Sequence, residues 1–297
     1  IPYRYTQALT TIAQAGNTAA PVPAEARSVG PAPSGARVTP QQLRWRNAMI
    51  IGGGVGLVAA YGANNWWQDG FQGSFRSVSE GWFGQSTQNG GADKLGHAFF
   101  SYAGARVLTA AFSAAGNDAD SASKLGALWS LGVMTGVEVL DGFSKKYRFS
   151  SEDALMNLAG AAAGYIMERN PKLDALVDFR LHYRPSESGN FNIGGDYSGQ
   201  TYLLAIKASG VPSLRAHSML RYFELAVGYG TRGFESPPQF ERSRNFYFGV
   251  SLNLSELLSQ TAYRGNRQPT PIQRTTDVFF ELIQLPGTAV PLAKHPL

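Results

Sequence analysis

Six polar residues, drawn from three stretches otherwise rich in Gly, Ala and aliphatic side chains, are the candidates for chemistry. Asp93, Lys94 and His97 lie in Gly90-Gly91-Ala92-Asp93-Lys94-Leu95-Gly96-His97, Glu138 lies in Gly136-Val137-Glu138-Val139-Leu140-Asp141, and Asp153 and Asn157 follow Ser150 in a third stretch. Ionisable groups inside apolar helices cost free energy unless they are paired or put to use. In an enzyme, His97 would be the general acid or base, Glu138 or Asp153 would orient it, and Lys94 would hold an anionic group. His97, Glu138 and Asp153 also make a candidate divalent-cation set of one imidazole and two carboxylates, although no short ligand-spacing motif accompanies them.

Each of these residues has a competing structural account. Asp93 suits the positive N-terminus of a helix, and His97, one turn further on the same face, can be a satisfied core histidine. Ser150 with Asp153 approximates a capping box, and a buried Asn157 demands hydrogen-bond partners that fix helix register. On that account the whole set is a buried polar network. The chain has no nucleophile elbow, phosphatase motif or cofactor motif. Gly52-Gly53-Gly54-Val55-Gly56 is followed by neither a Walker lysine nor a full dinucleotide fingerprint, and reads as a helix-packing surface.

The elements that must position these residues can be read from caps and periodicity. Thr39-Pro40 predicts a helix start. The helix continues through an apolar centre, Ala48 to Ala63, flanked by Arg44, Arg46, Trp66 and Trp67 in the manner of interfacial anchors. Its uncharged run is on the short side of the ~20 residues that a full span needs. Phe75 to Phe83 reads as a short surface helix. Helices are then predicted from Asp93 to Ala115, from Ser121 to Asp141 with Gly126, Gly132 and Gly136 as small contact positions, and from Ser150 onward with Gly160 and Gly164. From about Leu176 the period changes to two, with Val177, Phe179, Leu181 and Tyr183 alternating with Asp178, Arg180, His182 and Arg184, and the pattern recurs around 202–206, 223–229 and 246–252. Four or five strands are too few to close a barrel, whose smallest versions have ~8. A sheet whose apolar face covers the helices is therefore expected, ahead of strands contributed to a shared barrel. His182 and His217 read as surface residues. Thr275 to Leu285 reads as a short amphipathic helix, followed by an extended tail.

The expected fold class is therefore α+β: an N-terminal Gly/Ala-rich bundle of about four helices, then a small antiparallel sheet of four to five strands. The expected divisions are an extended arm over 1–40, a helical unit over 41–170, a β region over 171–265 and a C-terminal amphipathic segment and tail over 266–297. The arm, rich in Ala, Pro, Gly and Ser, cannot offset its conformational entropy by burial.

Composition narrows the function. With 26 basic and 21 acidic residues the net charge is +5, spread too thinly for nucleic acid, though compatible with anionic lipid head groups. The absence of cysteine removes disulfides, thiolate catalysis and thiolate metal sites from consideration. A first residue of Ile is the expected mark of a processed exported chain. The 34 glycines suit helices that pack backbone to backbone.

Asp93-Lys94-x-x-His97, then Glu138, then Ser150-x-x-Asp153-x-x-x-Asn157-x-x-Gly160-x-x-x-Gly164 resembles the signature of the VanZ-like membrane proteins. It is closer still to the YfiM-like family of uncharacterised predicted periplasmic or outer-envelope proteins. The resemblance covers roughly residues 80 to 168 and implies a bacterial envelope protein with a shared polar site, on the periplasmic side of the outer membrane or embedded in a membrane. Predicted YfiM-like lipoproteins carry a lipidated cysteine, which this chain lacks. Two functions compete: a non-catalytic scaffold or accessory subunit of an envelope assembly, with membrane lipids and envelope proteins as partners, and an enzyme acting on a lipid-linked or cell-wall substrate through His97 with Glu138 or Asp153.

Overall fold

A computed structural model of the chain describes residues 38–186, 191–234, 241–264 and 270–296; most of the expected arm over 1–40 lies outside them. Helix α1 (Pro40–Asn65) begins as its sequence requires. The Thr39 hydroxyl accepts from the Gln42 amide at 3.2 Å, the Gln42 side chain accepts from the Thr39 amide at 3.0 Å, and Pro40 takes the first helical position. Gly62 packs on the Trp67 ring, but among the described residues no atom lies within 4 Å of where a Cβ would sit on Gly52, Gly53, Gly54 or Gly56, so the expected packing surface faces outward. α1 is held mainly near its ends, by Arg46 to the Ala115 carbonyl at 3.0 Å, by an Asn47–Asn117 amide pair, and by Tyr61 to Asn192 at 2.9 Å.

The expected surface helix at 75–83 is absent. In its place β1 (Ser77–Val78) pairs in parallel with β2 (Phe149–Ser150), and Phe75, still partly exposed, packs its ring against Phe143 and Phe149. Three helices then pack on one another: α2 (Ala92–Ala115), α3 (Ala119–Phe143) and α4 (Ser151–Arg169). Glycine decides how closely they approach. A Cβ on Gly160 would lie 2.0 Å from the Ala98 carbonyl oxygen, and one on Gly126 would lie 2.6 Å from that of Ala105. Gly132 and Gly136 meet nothing within 4 Å. The expected bundle of about four helices is thus three packed helices with α1 laid beside them.

After α5 (Pro171–Leu176) come β3 (Val177–Tyr183), β4 (Gln200–Lys207), α6 (Pro212–Arg215), β5 (Phe223–Arg232), β6 (Ser243–Leu252), α7 (Leu254–Gln260), α8 (Pro271–Leu282), β7 (Ile283–Gln284) and β8 (Ala289–Pro296). The architecture is α+β, with helices preceding a six-stranded sheet in the order β7-β3-β4-β5-β6-β8. The strand count exceeds the expected four to five because the tail, whose prolines hide any period of two, adds itself to β6 as β8.

The two edge strands are consecutive in the chain. Only residues 285–288 join β7 to β8, a connection of at most ~18 Å, whereas six flat strands would separate their edges by ~24 Å. The sheet must therefore curl. Leu252 at the end of β6 donates to the Thr288 carbonyl at 3.0 Å, and Gln284 of β7 donates to the Thr288 hydroxyl at 2.6 Å, which draws the two edges together at this turn.

Curling decides which face is shut away, and it is the polar one. The register puts Asp178, Arg180, Lys207, Glu224 and Ser251 on one face, and all five are at most 3% exposed. Arg180 reaches past β4 to grip Glu224 of β5 with both terminal nitrogens, at 2.6 and 2.8 Å, and bonds Gln284 at 3.1 Å. Lys207 pairs with Asp178, and Ser251 donates to Glu224 at 2.9 Å. The expected apolar cover for the helices is realised only in part: Phe179, Leu181 and Tyr202 pack on Phe99 and Tyr102 of α2, with Leu282 and Met167 alongside. The rest of that face, including Leu204, Ile206, Leu225, Val227, Phe246 and Phe248, stays exposed.

Candidate functional site

The three helices bring all six predicted residues into one cluster. Gly90 and Gly91, with φ of 62° and 89°, turn the chain sharply into α2, a conformation that costs other L-residues free energy. Gly91 takes the N-cap position without a side-chain bond. Asp93 is therefore not the cap, and its carboxylate serves Lys94 instead. The Lys94 ammonium, on a side chain 1% exposed, lies 2.5 Å from Glu80, 3.0 Å from Asp93 and 3.0 Å from Asp153. Burial weighs against its charge, but Asp93 and Asp153, with the Glu80 bond, hold its pKa above the ordinary lysine value.

His97 sits one turn along α2. Its Nδ1 lies 3.2 Å from Asn157 Oδ1 and 3.4 Å from Glu138 Oε1, and its Nε2 lies 3.9 Å from Asp153 Oδ2. Asn157 Oδ1 also accepts from Ser101 Oγ at 3.0 Å, so one amide oxygen ties α4 to two positions of α2. Glu138, 2% exposed, accepts from the Ser150 amide at 3.2 Å. Ser150 in turn caps α4 by accepting from the Asp153 amide at 3.2 Å, as its spacing predicts. Asp141 accepts from the Trp67 indole at 2.7 Å and so fastens the end of α1 to α3.

Glu80 is the member that the sequence conceals. It lies in an aperiodic Gly- and Ser-containing loop, and only the β1–β2 pairing brings it to Lys94. The adjoining Ser79 hydroxyl and Gly81 amide donate to Glu152 of α4 at 2.6 and 3.2 Å. Three carboxylates, those of Glu80, Asp93 and Asp153, thus surround one lysine, and Glu138 adds a fourth to the cluster beside His97. Burial, reinforced by Asp153, pushes the Glu138 carboxyl up to about 8. Burial also pushes Glu80 up to about 7 against the opposing pull of Lys94. It raises Asp141 to about 6 in spite of the Trp67 bond. Tyr197 and Tyr202 close over Gly96, where a Cβ would lie 2.8 Å from the Tyr202 hydroxyl. His182, expected at the surface, is half-buried on β3, and burial lowers its pKa; His217 is exposed as expected.

Among the described residues, two trios of side chains have ligand atoms within 4.8 Å of one another: His97, Glu138 and Asp153, and Glu80, Asp93 and Asp153. The second already encloses the Lys94 ammonium. A further buried charge cluster that the sequence reading missed lies further along α2, past its midpoint. There Arg106 meets Glu168 at 2.9 Å, Asp174, and Glu281 at 2.9 Å. Arg106 sits among aliphatic and small residues with no local partner, so its acidic neighbours from α4, α5 and α8 become visible only in the fold.

Residues 79–169 match the model of a family described as predicted periplasmic lipoprotein (DUF2279). The matched segment opens one residue before Glu80 and closes with the last residue of α4, and so contains every member of the Lys94–His97 cluster. Neither a curated protein nor a solved structure matches the chain. The similarity points to an uncharacterised family of the bacterial cell envelope. Among the described residues, no helix is long and apolar enough to cross a membrane.

Proposed function

We propose that the chain is a non-catalytic component of the bacterial envelope, on the periplasmic side of the outer membrane, acting as a scaffold or accessory subunit of a larger assembly. One observation carries this reading. The Lys94 ammonium meets three carboxylates within 3.0 Å, whose combined charge outweighs its own and would repel a substrate anion. The cluster then works as an internal clamp on three helix ends. Buried polar groups with satisfied partners fix one arrangement of packed elements, and a rigid platform is what a subunit offers its neighbours. The YfiM-like and VanZ-like resemblance belongs to the same proposal, since its signature residues are the clamp.

The test is complementation of a strain lacking the protein, with protein level followed by immunoblot and assembly by native electrophoresis. His97→Ala is expected to accumulate, assemble and complement like wild type. A His97→Ala protein that assembles normally and still fails to complement would overturn the scaffold reading in favour of chemistry at His97.

A second reading is favoured by Asp153. Its Oδ1 is buried and accepts no hydrogen bond, although Lys94 lies 3.0 Å away in an ion pair, and its carboxylate belongs to the trio with His97 and Glu138. One imidazole and two carboxylates suit a divalent transition-metal ion, which would supply Lewis acidity toward an envelope substrate. Metal analysis of the purified full chain and its melting temperature with and without chelator decide this. Stoichiometric metal, lost together with stability in His97→Ala, would support it, and a metal-free protein indifferent to chelator would end it.

A further inference from the structure

We propose that the exposed apolar wall of the curled sheet is a lipid-facing surface in contact with the acyl chains of a bilayer. The first support is the inversion of the sheet. Asp178, Arg180, Lys207, Glu224 and Ser251 on the concave face are at most 3% exposed, while the convex face presents mainly aliphatic and aromatic groups. Soluble proteins seldom leave a contiguous apolar patch of this kind open, and a polar interior with an apolar exterior is the arrangement of strands that face lipid.

The second support is continuity. Register aligns Leu204, Val227 and Phe248 in one cross-strand row and Ile206, Leu225 and Val250 in the next. The third is length and rim. β5 and β6 are 10 residues each, which matches the ~9–11 residues of a tilted membrane strand. On this face no charged side chain interrupts 223–229 or 246–252. The first charge is Arg244, paired with Thr231 at the strand ends and bonded to the Phe83 carbonyl and to Gln85 at 3.1 Å. A band free of charge that ends in an arginine is the layout of a hydrocarbon layer bounded by head groups. β4, β5 and β6, which carry this wall, each have a neighbouring strand on both sides, so their backbone groups are already paired in the ladder.

The inference rests on the envelope reading for its location only. A periplasmic subunit that never touches lipid would sink it and leave that reading standing. The absence of cysteine from the chain makes site-directed labelling direct. Val227→Cys on the wall and Lys172→Cys, exposed on α5, would each carry a nitroxide in the full-length protein mixed with vesicles of phosphatidylcholine and phosphatidylglycerol. The Val227 label is expected to be relaxed by oxygen and shielded from a water-soluble nickel chelate, and the Lys172 label to show the reverse. In flotation at high salt, Leu225→Lys combined with Phe248→Lys is expected to lower the vesicle-bound fraction by at least about tenfold. Wild-type protein that stays out of the vesicle fraction, or a Val227 label as open to nickel as that at 172, overturns the proposal. So does a lipid-independent dimer in which the Val227 labels broaden one another, since the wall would then be covered by a second copy of the chain.

Discussion

At the scale of single residues, Lys94 is the side chain the helical unit can least lose. Its removal would leave Glu80, Asp93 and Asp153 facing one another without a counter-charge. Breaking one side of a buried ion pair costs ~3–5 kcal/mol. Lys94→Met is accordingly expected to lower unfolding stability by that order, measured by urea titration, while a surface change such as Lys124→Met stays within about 0.5 kcal/mol. Glu138 sets a pH dependence of opposite sense to that of a salt-bridged carboxylate. The folded protein holds its proton up to about pH 8, whereas an ordinary glutamate releases it near 4.5. Its contribution therefore favours the fold below about 4.5 and is lost as pH rises to about 8. Glu80, raised to about 7, acts in the same direction. Glu138→Gln is expected to match wild type at acidic pH and to exceed it by on the order of 1–3 kcal/mol above pH ~8, followed as urea midpoints across the range; equal slopes for the two proteins would refute the assignment. That Asp93, Lys94, His97, Glu138, Asp153 and Asn157 would meet in one cluster was legible because charge and amide groups stand out within small-residue helices. Glu80 and Arg106 were not, because nothing within a few residues of either hints at a partner more than ten positions away.

At the scale of elements, glycine has two opposite roles in the helical unit. Gly160 admits the Ala98 carbonyl, and any Cβ there would lie 2.0 Å from that oxygen, an overlap only a shift of backbone relieves. Gly160→Ala is expected to cost about 1–3 kcal/mol as α2 and α4 part. Gly136, with nothing within 4 Å, should gain about 0.5–1 kcal/mol on replacement by Ala, from helix propensity alone. Thermal melts of the two variants should therefore move in opposite directions. The spacing of Gly126, Gly132 and Gly136 made them look equivalent in sequence. A helix face is fixed by the neighbour it meets, and α2 crosses α3 only near Gly126 among the three. Starts and ends of α2, α3 and α4 were readable within a few residues, since caps at Ser150 and Asp118 and the stop at Gly116 are local signals. β1 and β2 were not, because two-residue strands have no period to detect.

At the scale of the whole molecule, a period of two announces two faces and leaves open which one will be buried. Val, Phe and Leu on alternate positions suggested a core-covering face, yet closure of the sheet around Arg180 and Glu224 turned most of those side chains outward. Curvature depends on where the last strand pairs, and β8 is a proline-containing tail that carries no strand pattern. The joint between helices and sheet is also electrostatic. Arg106 of α2 is the common partner of Glu168 on α4, Asp174 on α5 and Glu281 on α8, so one guanidinium spans the helical unit, the entry to β3 and the helix that precedes β7. Burial, countered in part by Arg106, raises Glu281 to about 7, which means that the acid is poised to take a proton if that cation goes. Arg106→Met would keep much of the side-chain volume and remove the charge that three acids share. Helices and sheet would then be joined chiefly by the apolar contact of Phe99 and Tyr102 with Phe179 and Tyr202, with Lys207 to the Asp174 carbonyl, Tyr229 to the Gly90 carbonyl and Arg244 to Gln85 as the remaining polar links. Unfolding followed by circular dichroism and by tyrosine absorbance is expected to coincide in wild type and to separate into two transitions in Arg106→Met, with the sheet melting first. A single shared transition in the variant would mean that the remaining contacts couple the two halves without Arg106.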